Sequence, residues 1–242
     1  MQTEKYQKIV ARAENIMKNS PDPIHDRRHV LRVIENIEQI CEANQIVGAQ
    51  KEALILSAWW HDVSRTITKF PSFIWMLFLD DLISAFLLFK FCLRNWLFGY
   101  EANTAIKIVF CKSVGAGRLL TRILLRKKDW ILLDILKDAD MLDVMHVERI
   151  RSIMPLSELS KIYLFNYKRL VNYSLKLKNA KFKTQSALKQ FEQIIQQLII
   201  FLSQPEILAW HIEQFGKKWC GEVEKKLNEL LNYIKILNLQ TI

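Results

Sequence analysis

Apolar residues recur at three- and four-residue steps along almost the whole chain, which is the period of amphipathic helices. Between about 24 and 44, one such stripe consists of Val30, Val33, Ile34, Ile37, Ile40 and Cys41. A first helix is expected at 4–18, because the prolines in the Asn-Ser-Pro-Asp-Pro run at 19–23 cannot continue it. A third and very apolar helix is expected at 50–62. No pair of alternating segments carries a hairpin signal, so the pattern predicts an all-α protein.

The C-terminal part, 156–242, alternates apolar stripes with Lys, Gln and Glu. It predicts about three amphipathic helices, interrupted near 203–205 and at Gly216. The composition never shifts sharply enough to mark a linker, so we expect a single domain over 1–242, with its core at about 20–155. The chain has only 6 Gly and 5 Pro. This scarcity also favours helices over strands and turns.

An apolar insertion at 70–99 interrupts this pattern, and its stretch 73–98 is long enough to span a bilayer if it is helical. Asp80 and Asp81 lie together near its centre, where two carboxylates would be costly in lipid, so a transmembrane span is rejected. A buried or dimer-forming helical hairpin is favoured, and with it a homodimer is one expected state. Peripheral contact with a membrane surface through the aromatic residues stays open as the alternative.

The overall charge favours anionic partners. Lys and Arg number 35 against 25 acidic residues, a formal charge of +10. Such a surplus suits phosphorylated metabolites, nucleic acid or acidic lipid, although it also simply supports solubility. Four widely spaced Cys without a CxxC pair are typical of reduced thiols, and the charged N-terminus lacks the apolar stretch of a secretion signal. A cytoplasmic protein is therefore expected.

Three short motifs place titratable residues beside apolar helical segments: HDRRH at 25–29, HDVSR at 61–65 and KDADMLD at 137–143. The two His of the first motif are four residues apart, so they would share one face of a helix. The His-Asp pair of the second motif follows an apolar helix, where a metal ion is a natural partner for an imidazole and a carboxylate. Each motif alone is more simply interpreted as a helix end or a solvated acid cluster.

In their order, the three motifs resemble the HD-domain superfamily of metal-dependent phosphohydrolases. Their form is similar to that of small bacterial nucleotide pyrophosphohydrolases within it, over roughly residues 25–150. The resemblance implies a compact multi-helix HD-domain bundle, with the insertion and the C-terminal helices added to it. It implies that the metal ligands are His29, His61, Asp62 and Asp140. Two imidazoles and two carboxylates suit a divalent ion such as Mn²⁺, Fe²⁺, Co²⁺ or Mg²⁺.

The same resemblance implies catalytic and supporting roles. Asp62 is expected to orient or deprotonate the attacking water, and Arg65 is expected to act beside it. His25 and Asp143 are expected to contact the ligand side chains and keep them in place, without binding the metal themselves. The alternative for His25 is a surface position.

Phosphate contacts are expected from basic residues. Arg32 lies one helical turn beyond the first motif, and a guanidinium fork matches phosphate oxygens, although a structural salt bridge is an equal interpretation. The basic run at 176–183 includes Lys176 and Lys178, which are further expected substrate contacts. The alternative is that this run is a solvated helix face.

The chain departs from the resemblance between 63 and 139, where it has no His, whereas many HD enzymes have two there. Glu101 lies near one of those places, so one ion is expected unless Glu101 contributes. The expected function is hydrolysis of a phosphoester or phosphoanhydride of a nucleotide or similar small molecule. The alternatives are a metal-dependent nuclease on single-stranded nucleic acid and a non-catalytic HD-like binding protein.

Overall fold

The structure, a computed structural model, describes residues 2–67, 79–113, 116–177 and 181–239. These residues form helices and connecting loops without a β-strand, which confirms the predicted all-α class. The described part contains the α-helices α1 (Gln2–Lys18), α2 (Arg27–Ala43), α3 (Ala49–Trp60), α4 (Asp80–Asn95), α5 (Tyr100–Lys112), α6 (Ala116–Leu124), α7 (Trp130–Val144), α8 (Val147–Leu159), α9 (Lys161–Ser174), α10 (Gln185–Leu202), α11 (Pro205–Phe215) and α12 (Lys217–Leu239). A 3₁₀ turn, Val63–Thr66, follows α3, and another, Lys127–Asp129, precedes α7.

The start of α2 corrects the prediction that a helix begins near 24. Asp26 is extended, and its Oδ1 accepts hydrogen bonds from the backbone N–H groups of Arg28 at 2.9 Å and His29 at 3.2 Å. This is an N-cap, which satisfies donors that have no partner inside the helix. His25 therefore precedes the helix, and the prediction that it shares a helix face with His29 is wrong.

The predicted interruptions in the C-terminal part are confirmed. Helix α10 ends at Leu202, and Pro205 is the first residue of α11, where the missing N–H of a proline costs nothing. Gly216 separates α11 from α12 with a φ of 84°, a left-handed conformation that favours glycine. The described residues beyond 160 form four helices, one more than the approximate number predicted.

The residues group by their mutual contacts into two units, 1–140 and 141–242, and the boundary lies inside α7. In the first unit, α3 packs against α1, α2 and α5, and α4 packs against α5. The indole N–H of the buried Trp60 donates to the carbonyl of Ile9 at 3.3 Å and so ties α3 to α1. In the second unit, α8 packs against α9, and α10 packs against α12. The single domain expected over 1–242 stays a prediction.

Of the apolar insertion at 70–99, the structure describes residues 79–99, which contain α4. Asp80 and Asp81 are the first two residues of α4, and negative charge is favourable at the N-terminal end of a helix. In the described ranges, no helix combines the length and apolar character that a bilayer crossing requires. Residues 73–78 of the predicted hairpin lie outside the described residues, and the hairpin and the membrane contact stay predictions.

Candidate metal centre

His61 is placed by the end of α3. Its ring Nδ1 lies 2.7 Å from the carbonyl oxygen of Ala58, one turn earlier, and this oxygen can only accept. Nδ1 therefore carries the proton in the neutral ring, and the lone pair of Nε2 points away from α3. The ring is fully buried, so Nε2 needs a partner inside the protein.

His29 provides the second imidazole from α2. Its Nε2 lies 3.3 Å from the Nε2 of His61, and both side chains have no exposed surface. Asn36, two turns further along α2, donates from Nδ2 to the carbonyl of Ala139 at 3.0 Å. This bond holds α2 against α7, the helix that carries Asp140.

Two carboxylates complete the group. Asp62 Oδ2 lies 3.2 Å from the Nε2 of His29 and 3.4 Å from that of His61, and Asp140 Oδ1 lies 3.6 and 3.7 Å from the same two atoms. Ligand atoms around an ion with bonds of about 2.0–2.2 Å have this mutual spacing. His29, His61 and Asp140 form the set whose ligand atoms all lie within 4.8 Å of one another, and they can hold a metal ion.

The electrostatics of the two carboxylates favour their ionised form, as metal ligation requires. Burial raises the pKa of Asp62, but His61 and Arg65 outweigh it and hold the pKa well below its ordinary value. Burial likewise opposes ionisation of Asp140, and Lys112 together with His61 brings the pKa of Asp140 well below its ordinary value.

Arg65, on the 3₁₀ turn after the His-Asp pair, links Asp62 to α4. Its Nε lies 3.4 Å from Asp62 Oδ1, and its Nη2 lies 3.0 Å from Asp80 Oδ2. Asp80 is buried, and neither of its oxygens accepts a hydrogen bond, so this is a charge contact. Burial raises the pKa of Asp80 to about 6; Arg65 opposes this, and Asp62 and Asp81 add to it.

Lys112 is the residue that sequence reasoning missed. It ends α5, and its Nζ lies 3.1 Å from Asp140 Oδ2 and 3.3 Å from Asp81 Oδ1. Burial lowers the pKa of Lys112, but Asp140 and Asp81 outweigh it and raise the pKa above its ordinary value. The available signal was the pair Asp80–Asp81, because two carboxylates in an apolar segment require cationic partners.

His25 lies beside the centre although it precedes α2. Its Nδ1 is 2.7 Å from Asp22 Oδ2, and its ring meets the ring of His29 edge-on, with 5.6 Å between the centroids. Asp22 Oδ1 also accepts from the backbone N–H of Ile24 at 2.9 Å. Burial raises the pKa of Asp22, but the hydrogen bond and charge of His25 outweigh it, and the net pKa is lowered. From the sequence, Asp22 is indicated only as part of the helix stop at 19–23.

The remaining predicted residues occupy varied positions. Asp143 is fully buried in the second unit, where its Oδ2 accepts from Arg149 Nη1 at 2.6 Å. Arg32 is half-buried on α2, and Lys176 is exposed in the second unit. Lys178 lies outside the described residues. Glu101 is buried on α5 and is not part of the ligand set found among the described residues.

Comparison with models of known protein families, with curated proteins and with solved structures finds no match to this chain. The resemblance to the HD superfamily therefore depends on the three motifs and stays a prediction. The convergence of His29, His61 and Asp140 is independent of it, since it is a property of the fold.

Proposed function

We propose that the chain is a metal-dependent phosphohydrolase of the HD type, which cleaves a phosphoester or phosphoanhydride bond of a nucleotide or related small molecule. One observation carries this proposal: three separate parts of the chain bring His29, His61, Asp62 and Asp140 together, with an oxygen of each carboxylate 3.2–3.7 Å from the Nε2 atoms of both imidazoles. The order of the three sequence motifs supports it, and so does the positive charge of the chain.

The ligand set suits one divalent ion of the Mn²⁺, Fe²⁺, Co²⁺ or Mg²⁺ type, because it combines imidazole nitrogens with carboxylate oxygens and contains no thiolate. Such an ion, when bound, polarises a phosphoryl oxygen and makes a coordinated water more acidic. The Nδ1 bond of His61 to Ala58 keeps the ring oriented with its lone pair towards the site.

Asp62 has the position to orient the attacking water. Its Oδ2 faces the two imidazoles, and its Oδ1 faces Arg65. A carboxylate held in this way has a fixed direction for accepting a hydrogen bond from water. Arg65 keeps that direction, and its guanidinium adds positive charge next to the phosphoryl group.

Hydrolysis of a panel of nucleotides and simple phosphate esters by the full chain, with Mn²⁺, Fe²⁺, Co²⁺ and Mg²⁺ in turn, tests the proposal. We expect metal-dependent turnover in the wild type, and a kcat/KM lower by about 100-fold or more in Asp62→Asn, which is the range for a lost acid–base group. Asp129→Asn is the matched control. Asp129 is also a buried acid of the first unit, but its partners are Tyr100 and Arg126.

The proposal fails if the wild type turns over no compound of the panel with any of the four metals. It also fails if Asp62→Asn and Asp129→Asn keep equal activity. Metal content, measured on the same samples, shows whether a loss arises from an empty centre or from the chemistry.

A further inference from the structure

Lys112 shares one carboxylate with the candidate metal centre. Asp140 directs Oδ1 towards the two imidazoles and Oδ2 towards Lys112 Nζ, which is 3.1 Å away. An ion held by the ligand set and the ammonium group therefore lie on the two oxygens of a single carboxylate. A phosphoryl group carries several oxygens on one phosphorus atom, so it can contact two neighbouring cations at once.

The ammonium group of Lys112 has hydrogen-bonding capacity beyond the contacts it makes. It carries three N–H donors, and its two ion pairs are with Asp81 and Asp140. The Lys112 side chain keeps 15% of its surface exposed. Within the part of the chain that the structure describes, these two ion pairs use two of the three donors, so the third can serve a bound ligand.

Lys112 also removes a negative charge that would oppose an anion at the centre. Two side-chain cations at the centre each contact two carboxylates. Arg65 contacts Asp62 and Asp80, and Lys112 contacts Asp81 and Asp140. One divalent ion together with the two cations balances the four negative charges. Without Lys112, the loaded centre would be net negative and would repel phosphate.

We propose that Lys112 Nζ donates to a phosphoryl oxygen of the ligand bound at the metal centre, and that Asp81 positions Lys112 for this contact. The inference rests on the proposed function for the identity of the ligand. Lys112, at the end of α5, is then a second cation that binds the phosphoryl group besides the metal ion. Its ion pair with Asp81 of α4 keeps it in place. Lys112 binds substrate, whereas Asp81 acts only through Lys112.

Titration of inorganic phosphate into the Mn²⁺-loaded full chain, followed by calorimetry, tests this. We expect Lys112→Met to weaken phosphate binding by about tenfold to 100-fold, the range for a charge-assisted hydrogen bond. Lys107→Met, an exposed lysine of the same helix, should leave the affinity unchanged. Lys112→Arg, which keeps the charge, should recover part of it.

The Mn²⁺ affinity of each variant separates ligand binding from a merely structural role. If Lys112 only neutralises Asp140, Lys112→Met changes Mn²⁺ affinity and leaves phosphate affinity within twofold of the wild type, which overturns the proposal. Asp81→Asn should weaken phosphate binding in the wild type but have no further effect in Lys112→Met. Additive effects of the two substitutions would overturn the positioning role.

Failure here differs from failure of the hydrolase proposal. Wild-type hydrolysis with equal phosphate affinity in Lys112→Met removes the role of Lys112 alone. Phosphate binding that depends on Lys112, without hydrolysis of any compound, removes the enzyme and leaves the binding site. A wild-type protein that binds Mn²⁺ but no phosphate overturns the role of Lys112.

Discussion

His61 in the first unit and His211 in the second use the same local bond for different purposes. Each is buried, and the Nδ1 of each donates to a backbone carbonyl one turn earlier at 2.7 Å, Ala58 for His61 and Ile207 for His211. They differ in what Nε2 meets. For His211 the partner is the hydroxyl of Tyr167 at 2.8 Å, whereas for His61 it is the Nε2 of His29, with two carboxylates nearby.

The surroundings of the two rings explain the difference. His211 packs among aromatic rings, with the centroid of Trp210 at 4.8 Å and that of Trp219 at 6.4 Å. Its Nε2 is satisfied by a neutral donor, so nothing there calls for a cation. The Nε2 of His61 faces the Nε2 of His29 and two carboxylates, an arrangement that a divalent ion stabilises. A buried imidazole with a fixed tautomer is therefore not enough, and the convergence of anionic groups makes the candidate site.

The largest expected effect is on metal binding, which should depend on His61 and not on His211. His61→Ala should weaken Mn²⁺ binding by about 100-fold or more and reduce the bound metal from about one ion per chain to a trace, because a direct ligand is lost. His211→Ala should keep the wild-type metal content, measured by elemental analysis after dialysis. Metal retained in His61→Ala, or lost equally in both variants, would contradict the comparison.

A smaller effect concerns the hydroxyl that satisfies His211. Tyr167→Phe leaves its Nε2 buried without a donor, so the free energy of unfolding should fall by about 1–3 kcal/mol in urea denaturation. The exposed Tyr233 of α12 belongs to the same unit, and Tyr233→Phe should change the free energy of unfolding by less than about 0.5 kcal/mol. Metal content should be unaffected by either substitution. Equal stability of the two variants would show that Nε2 needs no partner.

The smallest effect is on pH dependence. Burial lowers the pKa of His211 below its ordinary value of 6.5. Below about pH 6.5 the unfolded chain therefore binds a proton at this residue that the folded chain does not, and the free energy of unfolding falls as the pH drops. This loss should be smaller in His211→Gln than in the wild type, by at most about 1.4 kcal/mol per pH unit. Urea unfolding at pH 7.5 and 5.5 measures it, and parallel curves would contradict the lowered pKa.

The elements of the fold were predictable to the extent that they depend on local patterns. The apolar stripe of α2, the stop at 19–23 and the breaks at 203–205 and Gly216 follow from side-chain period and backbone chemistry within a few residues. The start of α2 was misplaced, because Asp26 ends the preceding extended segment by capping. The same side chain can cap or continue a helix, and the periodicity does not distinguish the two.

The candidate site was predictable only as a set of residue types. Three ordered motifs indicated His29, His61, Asp62 and Asp140, and the fold brings them together. Of the charged partners around them, Arg65 was predicted beside Asp62, whereas Lys112 and Asp22 were not. Lys112 is a single lysine at the end of an apolar helix, and Asp22 lies in a loop, so no local pattern marks either of them.

The helical class could be predicted from the sequence alone, because it follows from residue chemistry and short-range spacing. The candidate metal ligands were indicated by the resemblance of three ordered motifs to the HD superfamily. The tertiary structure decided which charges meet. Asp80 and Asp81, which argued against a bilayer span, contact Arg65 and Lys112. The partner of a buried charge is set by how distant helices pack, because only packing brings the two ends of such a pair within a few ångströms.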